Sequence, residues 1–209
     1  MTRTEPPQAA LVLAAGPRQE VDSWVLGGVV PVTIVPLEGW IGVVGRGPAH
    51  AEEPYADGAL MLAARALGPK AGPGLGFFEI DGRAVITLHA PGRRKGPRWV
   101  VWEPDVGLLR PPGLELAGPG QLAGVAGAAP SVRDELVELL HETRVRPARM
   151  LRAVMATLSL PGGRLVEDPG HVDTLPGAVD HRPDERQVGW FDDAVRDSVR
   201  LRRELGGLP

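Results

Sequence analysis

The sequence predicts an α+β fold: an N-terminal antiparallel or mixed β-sheet with one covering helix, then a helical C-terminal half of about three helices. Three observations carry this. Residues 76–89 form two runs rich in β-branched and aromatic side chains around Asp81-Gly82. A two-residue type I′ turn needs positive φ at both central residues, so Asp-Gly between such runs is a strong hairpin signal. Arg98-Trp99-Val100-Val101-Trp102 supplies a further strand after a proline-glycine break. From residue 131 onward the apolar spacing changes to the three-and-four step of helices.

The elements follow in order. Leu11 to Ala15 is a short apolar run ending at Gly16-Pro17 and reads as a first strand. Ser23 to Leu26, Val29 to Val35 and Trp40 to Val44 give three more strands, punctuated by Gly27-Gly28, Pro36 and Glu38-Gly39. Pro31 and Pro36 donate nothing to a ladder, which confines them to strand starts, edges or bulges. Ala56 to Leu67 is a helix: Ala59, Leu60, Leu62, Ala63 and Leu67 suit one face, and Gly68-Pro69 stops it. Trp99 and Trp102 are three apart, which points them to opposite faces of a regular strand. One of them is then outside the main core, or covered by the C-terminal half.

Residues 1–107 make the sheet part and 108–130 a Gly-, Pro- and Ala-rich connection whose leucines lie against the body. Residues 131–209 make the helical half. Its first helix, 131–142, opens on Ser131 as N-cap with Asp134 and Glu135 in the first turn. A second, from Pro147 to about Leu158, turns Leu151, Val154, Met155 and Leu158 inward. Residues 161–184 read as a loop. A last helix, about Asp184 to Leu205, places acids early and arginines late.

Composition narrows the function classes. The chain has 209 residues, 43% apolar and 23% charged, which is enough to bury a real core. Arginine outnumbers lysine 21 to 2 and asparagine is absent, a pattern that fits a GC-rich bacterial genome better than a binding role. Net charge is −3, with 12 acids and 11 bases in 1–130 and 14 and 12 in 131–209. Neither half has the basic excess of a nucleic-acid or anionic-membrane binder. Zero cysteines exclude a disulfide framework, thiolate catalysis and Cys-ligated zinc. The first residues lack the apolar core of a signal peptide, and Val25 to Leu37 is too short to span a bilayer. A soluble cytoplasmic protein is the expectation.

Two clusters bear titratable groups. Glu167-Asp168-Pro169-Gly170-His171-Val172-Asp173 and Asp180-His181 carry ligand types for a divalent metal, with His171, Asp173, Asp180 and His181 as the candidate ligands. Their spacing matches no zinc motif, and a solvated surface loop is the simpler account of them. His50, Glu52, Glu53 and Asp57 follow the glycine-rich stretch Gly42 to Gly47. That stretch is neither a dinucleotide fingerprint nor a P-loop, and its acids would repel a phosphate.

Nucleophilic catalysis has little to draw on: none of the four serines lies in a Gly-x-Ser-x-Gly elbow. Arg93, Arg94, Trp99 and Trp102 form a candidate interaction surface. Helices 131–142 and 147–158 with Arg149 and Arg152, followed by Arg164-Leu165-Val166 as a wing, resemble a winged helix-turn-helix. The net acidic charge of this half argues against DNA.

The leading expectation is a non-enzymatic protein-interaction module of adaptor, regulatory or immunity type. Its partner is another protein or a second copy of the chain, and it needs no cofactor. A metal-dependent enzyme using loop 167–185 and a winged-helix-like DNA-binding regulator are the alternatives.

Overall fold

The computed structural model of the chain describes residues 8–90 and 96–206. It is a mixed α+β protein built on one eight-stranded antiparallel sheet. The strands are β1 (Ala10–Ala14), β2 (Val32–Leu37), β3 (Trp40–Gly45), β4 (Gly74–Ile80), β5 (Arg83–His89), β6 (Arg98–Glu103), β7 (Gly107–Leu109) and β8 (Val179–His181). Their order across the sheet is β7-β6-β5-β4-β1-β3-β2-β8. The helices are α1 (Arg18–Leu26), α2 (Gly58–Ala64), α3 (Pro119–Ala126), α4 (Val132–His141), α5 (Pro147–Thr157) and α6 (Glu185–Gly206). Short 3-10 helices cover Gly163–Val166 and Pro169–Thr174. Among the described residues no helix is long and apolar enough to cross a membrane.

The hairpin forms as its sequence requires. Asp81 and Gly82 have φ of 50° and 71°, and Ile80 pairs with Arg83, Phe78 with Val85. That is a two-residue turn with both central residues left-handed, as type I′ demands. Strand alternation then sorts side chains to two faces. Leu11, Leu13, Leu75, Phe77, Ile86, Val100 and Trp102 point one way. Ala10, Val12, Phe78, Ile80, Val85 and Val101 point the other. Both sets are buried.

The first face is covered by α3, α4, α5 and the 3-10 helices. Leu122, Leu136, Leu140, Met150, Leu151, Val154, Met155, Leu165 and Val172 close over it, so its core joins residues from both halves of the sequence. The second face is covered by α1 and α2 through Val21, Trp24, Val25, Ala59, Leu62 and Ala63.

Several expectations need correction. Residues 23–26 belong to α1, not to a strand. Val21, Trp24 and Val25 are spaced i, i+3, i+4 and all buried, so the helical period governs this stretch. Two helices therefore cover the second face instead of one. The loop 161–184 contains both 3-10 helices and β8, whose Val179, Asp180 and His181 pair with Ile34, Thr33 and Val32. The segment 108–130 holds α3, which starts at Pro119 and ends on Gly127 at φ 69°. Of its leucines, Leu108 and Leu114 are exposed, Leu109 packs against the second-face core, Leu116 bridges to Trp99, and Leu122 with Ala123 makes the buried contact. Ser131 precedes α4 without a side-chain capping bond. Pro36 behaves as expected: it lies in the part of β2 that β8 leaves unpaired.

Trp99 and Trp102 do point to opposite faces. Trp102, only 1% exposed, lies under the C-terminal helices and is core, not contact surface. Its Nε1 is buried and finds no hydrogen-bond partner among the described residues. An orphaned buried donor carries a desolvation cost of about 1–3 kcal/mol. Trp102→Ala should then cost about 3–5 kcal/mol by losing a core ring. Trp102→Phe, which keeps apolar bulk and removes the orphan donor, should cost less than about 1.5 kcal/mol. Urea unfolding of the two variants checks this; equal costs would show that the indole N–H is well satisfied.

Candidate functional site

A cleft of about 530 Å³ opens where the two polar clusters of the sequence meet. One wall is the end of β3 and the turn after it, Gly45 to Pro48. The second is the start of α2, Ala56 to Ala59, and the third is Pro169-Gly170. The β3 turn and α2 touch closely: a Cβ on Gly58 would lie 2.1 Å from the Gly47 carbonyl oxygen. Only a glycine allows that approach.

The two charged side chains at the cleft are already engaged. Asp57 caps α2 by accepting from the Leu60 N–H at 3.0 Å. Arg46 donates to Asp173 at 2.9 Å, tying the β3 turn to the second 3-10 helix. This ion pair, which links the two clusters, is not visible in the sequence because its partners lie 127 residues apart. What remains of the lining is mostly Gly, Ala and Pro, which offers shape and no converging acid, base or nucleophile.

The candidate metal ligands are spread by the fold. His171 Nδ1 lies 3.0 Å from Thr174 Oγ1, which itself donates to the His171 carbonyl at 2.8 Å. Asp173 is held by Arg46. Asp180 accepts from Thr33 Oγ1 at 2.6 Å. His181 follows it on β8, so the two side chains leave opposite faces of the sheet. His181 Nε2 is buried without a hydrogen-bond partner among the described residues. Among the described residues no group of three or more His, Asp or Glu is placed to hold a metal ion.

The interaction residues divide too. Arg93 and Arg94 lie outside the described residues. Trp99 is half-buried on the second face of the sheet. Arg149 and Arg152 are exposed on α5, and Arg152 is ion-paired with Glu167. Arg164 to Val166, read as a wing, lie in a 3-10 helix whose Leu165 and Val166 are buried, so this segment is not a wing strand.

The strongly perturbed side chains are elsewhere and have structural work. Arg65 donates to the Trp24 carbonyl and stacks 4.7 Å over the Trp24 ring. The Trp24 indole donates in turn to the Ala66 carbonyl at 3.0 Å. The pair clasps the end of α1, where a cation suits the helix dipole. Burial lowers Arg65 to a pKa of about 10, so it stays charged at neutral pH. Burial also raises the Glu79 carboxyl.

His89 is buried at the end of β5, in line with Thr87 and Val85. That alternation, with Val85 on a buried face, was the signal available for it in the sequence. Leu67 N–H donates to Nδ1 at 3.3 Å, which leaves the proton on Nε2, facing Thr87 Oγ1 at 3.3 Å. Burial pushes this imidazole down to about 4. No protein-family model, curated protein or solved structure matches the chain.

The depressed His89 value fixes a pH dependence. The folded state holds the ring neutral, whereas the unfolded chain protonates it near 6.5. Stability from this group is full above pH 6.5 and is lost as pH falls toward 4, by roughly 3 kcal/mol for a shift from 6.5 to about 4. Urea midpoints of wild type and His89→Gln at pH 7 and pH 4 should differ in their acid loss by that order. Identical losses would place a charged imidazole in the fold.

Proposed function

We propose that this protein is cytoplasmic and acts without catalysis, as an adaptor, regulatory or immunity-type module that binds another protein along the β6–β7 edge of its sheet. The observation that carries the reading is apolar surface gathered at that edge. Val106, 60% exposed, Leu108, 44% exposed, and Leu114 lie on the segment that forms and follows β7. Leu108, opposite Trp102, belongs to the first face, whereas on the second face of the same edge a depression of about 380 Å³ is lined by Arg83, Val101, Leu109, Arg110 and Pro111. Half-buried Trp99 stands next in the row on β6, with its rim charges paired as Arg83–Glu103 and Arg98–Glu115.

Apolar side chains exposed on both faces of one sheet edge, with ion pairs beside them, supply the components of a contact surface. β7 is also the terminal strand of the sheet among the described residues, so a partner can approach it from the side. The metal-enzyme reading has less behind it, since His171, Asp173 and Asp180 have separate partners and His181 leaves the sheet on the face opposite Asp180. The DNA reading loses its wing, and one of its two arginines is engaged by Glu167.

Affinity capture with the intact chain, beside Leu108→Asp, tests the proposal. Leu108 is exposed, so the variant should unfold at the wild-type temperature. A protein retained by wild type should bind the variant at least about tenfold more weakly, a loss of 1.4 kcal/mol or more. Equal retention would remove the edge as the binding surface. A substrate turned over by the chain, with loss on His171→Ala or Asp173→Ala, would overturn the non-enzymatic reading.

A further inference from the structure

Helix α6 has 22 residues and is about 33 Å long. Its first two turns are tied to the body: Gln187 Nε2 donates to the Gly27 carbonyl at 3.2 Å, and Phe191 meets Tyr55 edge-on at 5.6 Å. Val188 and Phe191 pack onto the α1/α2 side of the sheet. About 200° around the helix from Val188, at about 100° per residue, a second apolar row runs along the outside. It consists of Trp190, Ala194 and Leu201, at steps of four and seven, with Asp197, ion-paired with Arg200, between the last two. Trp190 is 65% exposed and Leu201 53% exposed. Arg186 lies 6.0 Å over the Trp190 ring.

The charge of α6 is split along its length. Residues 185–195 carry Glu185, Arg186, Asp192 and Asp193, a net of −2. Residues 196–206 carry Arg196, Asp197, Arg200, Arg202, Arg203 and Glu204, a net of +2. A helix with this distribution is complementary to itself when reversed and repels itself when parallel. Trp190 and Leu201 are equidistant from the midpoint between Val195 and Arg196. A twofold axis there sets each Trp190 against Leu201 of the other copy, which is the reciprocal pattern of an isologous interface. Tryptophan is the side chain that most often anchors such contacts. The exposed pairs Asp193–Arg196 at 3.1 Å and Asp197–Arg200 at 3.4 Å can trade partners across the axis at little cost.

We propose that α6 pairs antiparallel with α6 of a second copy of this chain, Trp190 of each against Leu201 of the other. This surface is separate from the β6–β7 edge, so the two readings fail independently. Sedimentation equilibrium of the intact chain from micromolar to hundreds of micromolar provides the first test. Wild type should dimerise, Trp190→Glu should weaken the dimer at least tenfold, and Leu108→Asp should leave it unchanged. Both altered residues are exposed, so helical circular dichroism should be retained; should Trp190→Glu unfold, Leu201→Glu replaces it.

Orientation is read by disulfide trapping, since the chain has no cysteine of its own. Ala194→Cys, close to the axis, should cross-link under mild oxidant. Arg186→Cys should not, because antiparallel copies hold that position about 28 Å apart along the helix. A chain that is monomeric throughout, a dimer indifferent to both glutamate variants, or cross-linking through Arg186→Cys would each overturn the proposal.

Discussion

The rest of the fold depends on β1 being apolar on both faces. Ala9, Leu11 and Leu13 point to one side, Ala10, Val12 and Ala14 to the other, and all six are buried at the middle of the sheet. Antiparallel sheets commonly leave one face to water. Here that would expose Val12, Phe78 and Ile80 or, on the other side, Leu13, Phe77 and Ile86. Both faces must be covered, and the chain does so with α1 and α2 on one side and α3 to α5 on the other. Helices before and after the hairpin are therefore parts of the same packing problem. The sheet is blunted at its ends, where β7 and β8 have three residues each, a common way of limiting edge pairing.

Much of this was legible in the sequence, for local reasons. Asp81-Gly82 dictated its turn because few residue pairs accept positive φ twice in succession. The α5 face, Leu151, Val154, Met155 and Leu158, followed from spacing alone, and all four are buried. The failures have physical causes as well. Trp24-Val25-Leu26 looks like a strand when taken as a run, yet the neighbour that decides its period is Val21, and Leu26 is exposed. β8 is three residues long and polar, so only its pairing with β2 makes it a strand. Ser131 has the residue type of a cap without the bond.

The candidate site was less legible, because what shapes it is long-range. The glycine-rich turn and the 167–173 cluster were each visible, but Arg46–Asp173 joins positions 127 apart and Thr33–Asp180 joins positions 147 apart. Those partners neutralise or hydrogen-bond the carboxylates that a metal would have required. The alternation of β8 then separates Asp180 from His181. Composition could show that ligand residue types were present; it carried no information on their directions. The same holds for Trp99 and Trp102, one half-buried on the second face and the other buried in the first-face core.

The central claim is that one two-sided sheet, with helices from both ends of the sequence over it, forms a single cooperative unit. Native-state hydrogen exchange of the intact chain measures this directly. Buried amides of β1 and β4, such as Leu13 and Phe77, should exchange only through global unfolding, with the same opening free energy and denaturant slope as Leu151 and Val154 in α5. Exchange of α4 and α5 through a distinctly lower opening free energy, while β1 and β4 remain protected, would contradict it.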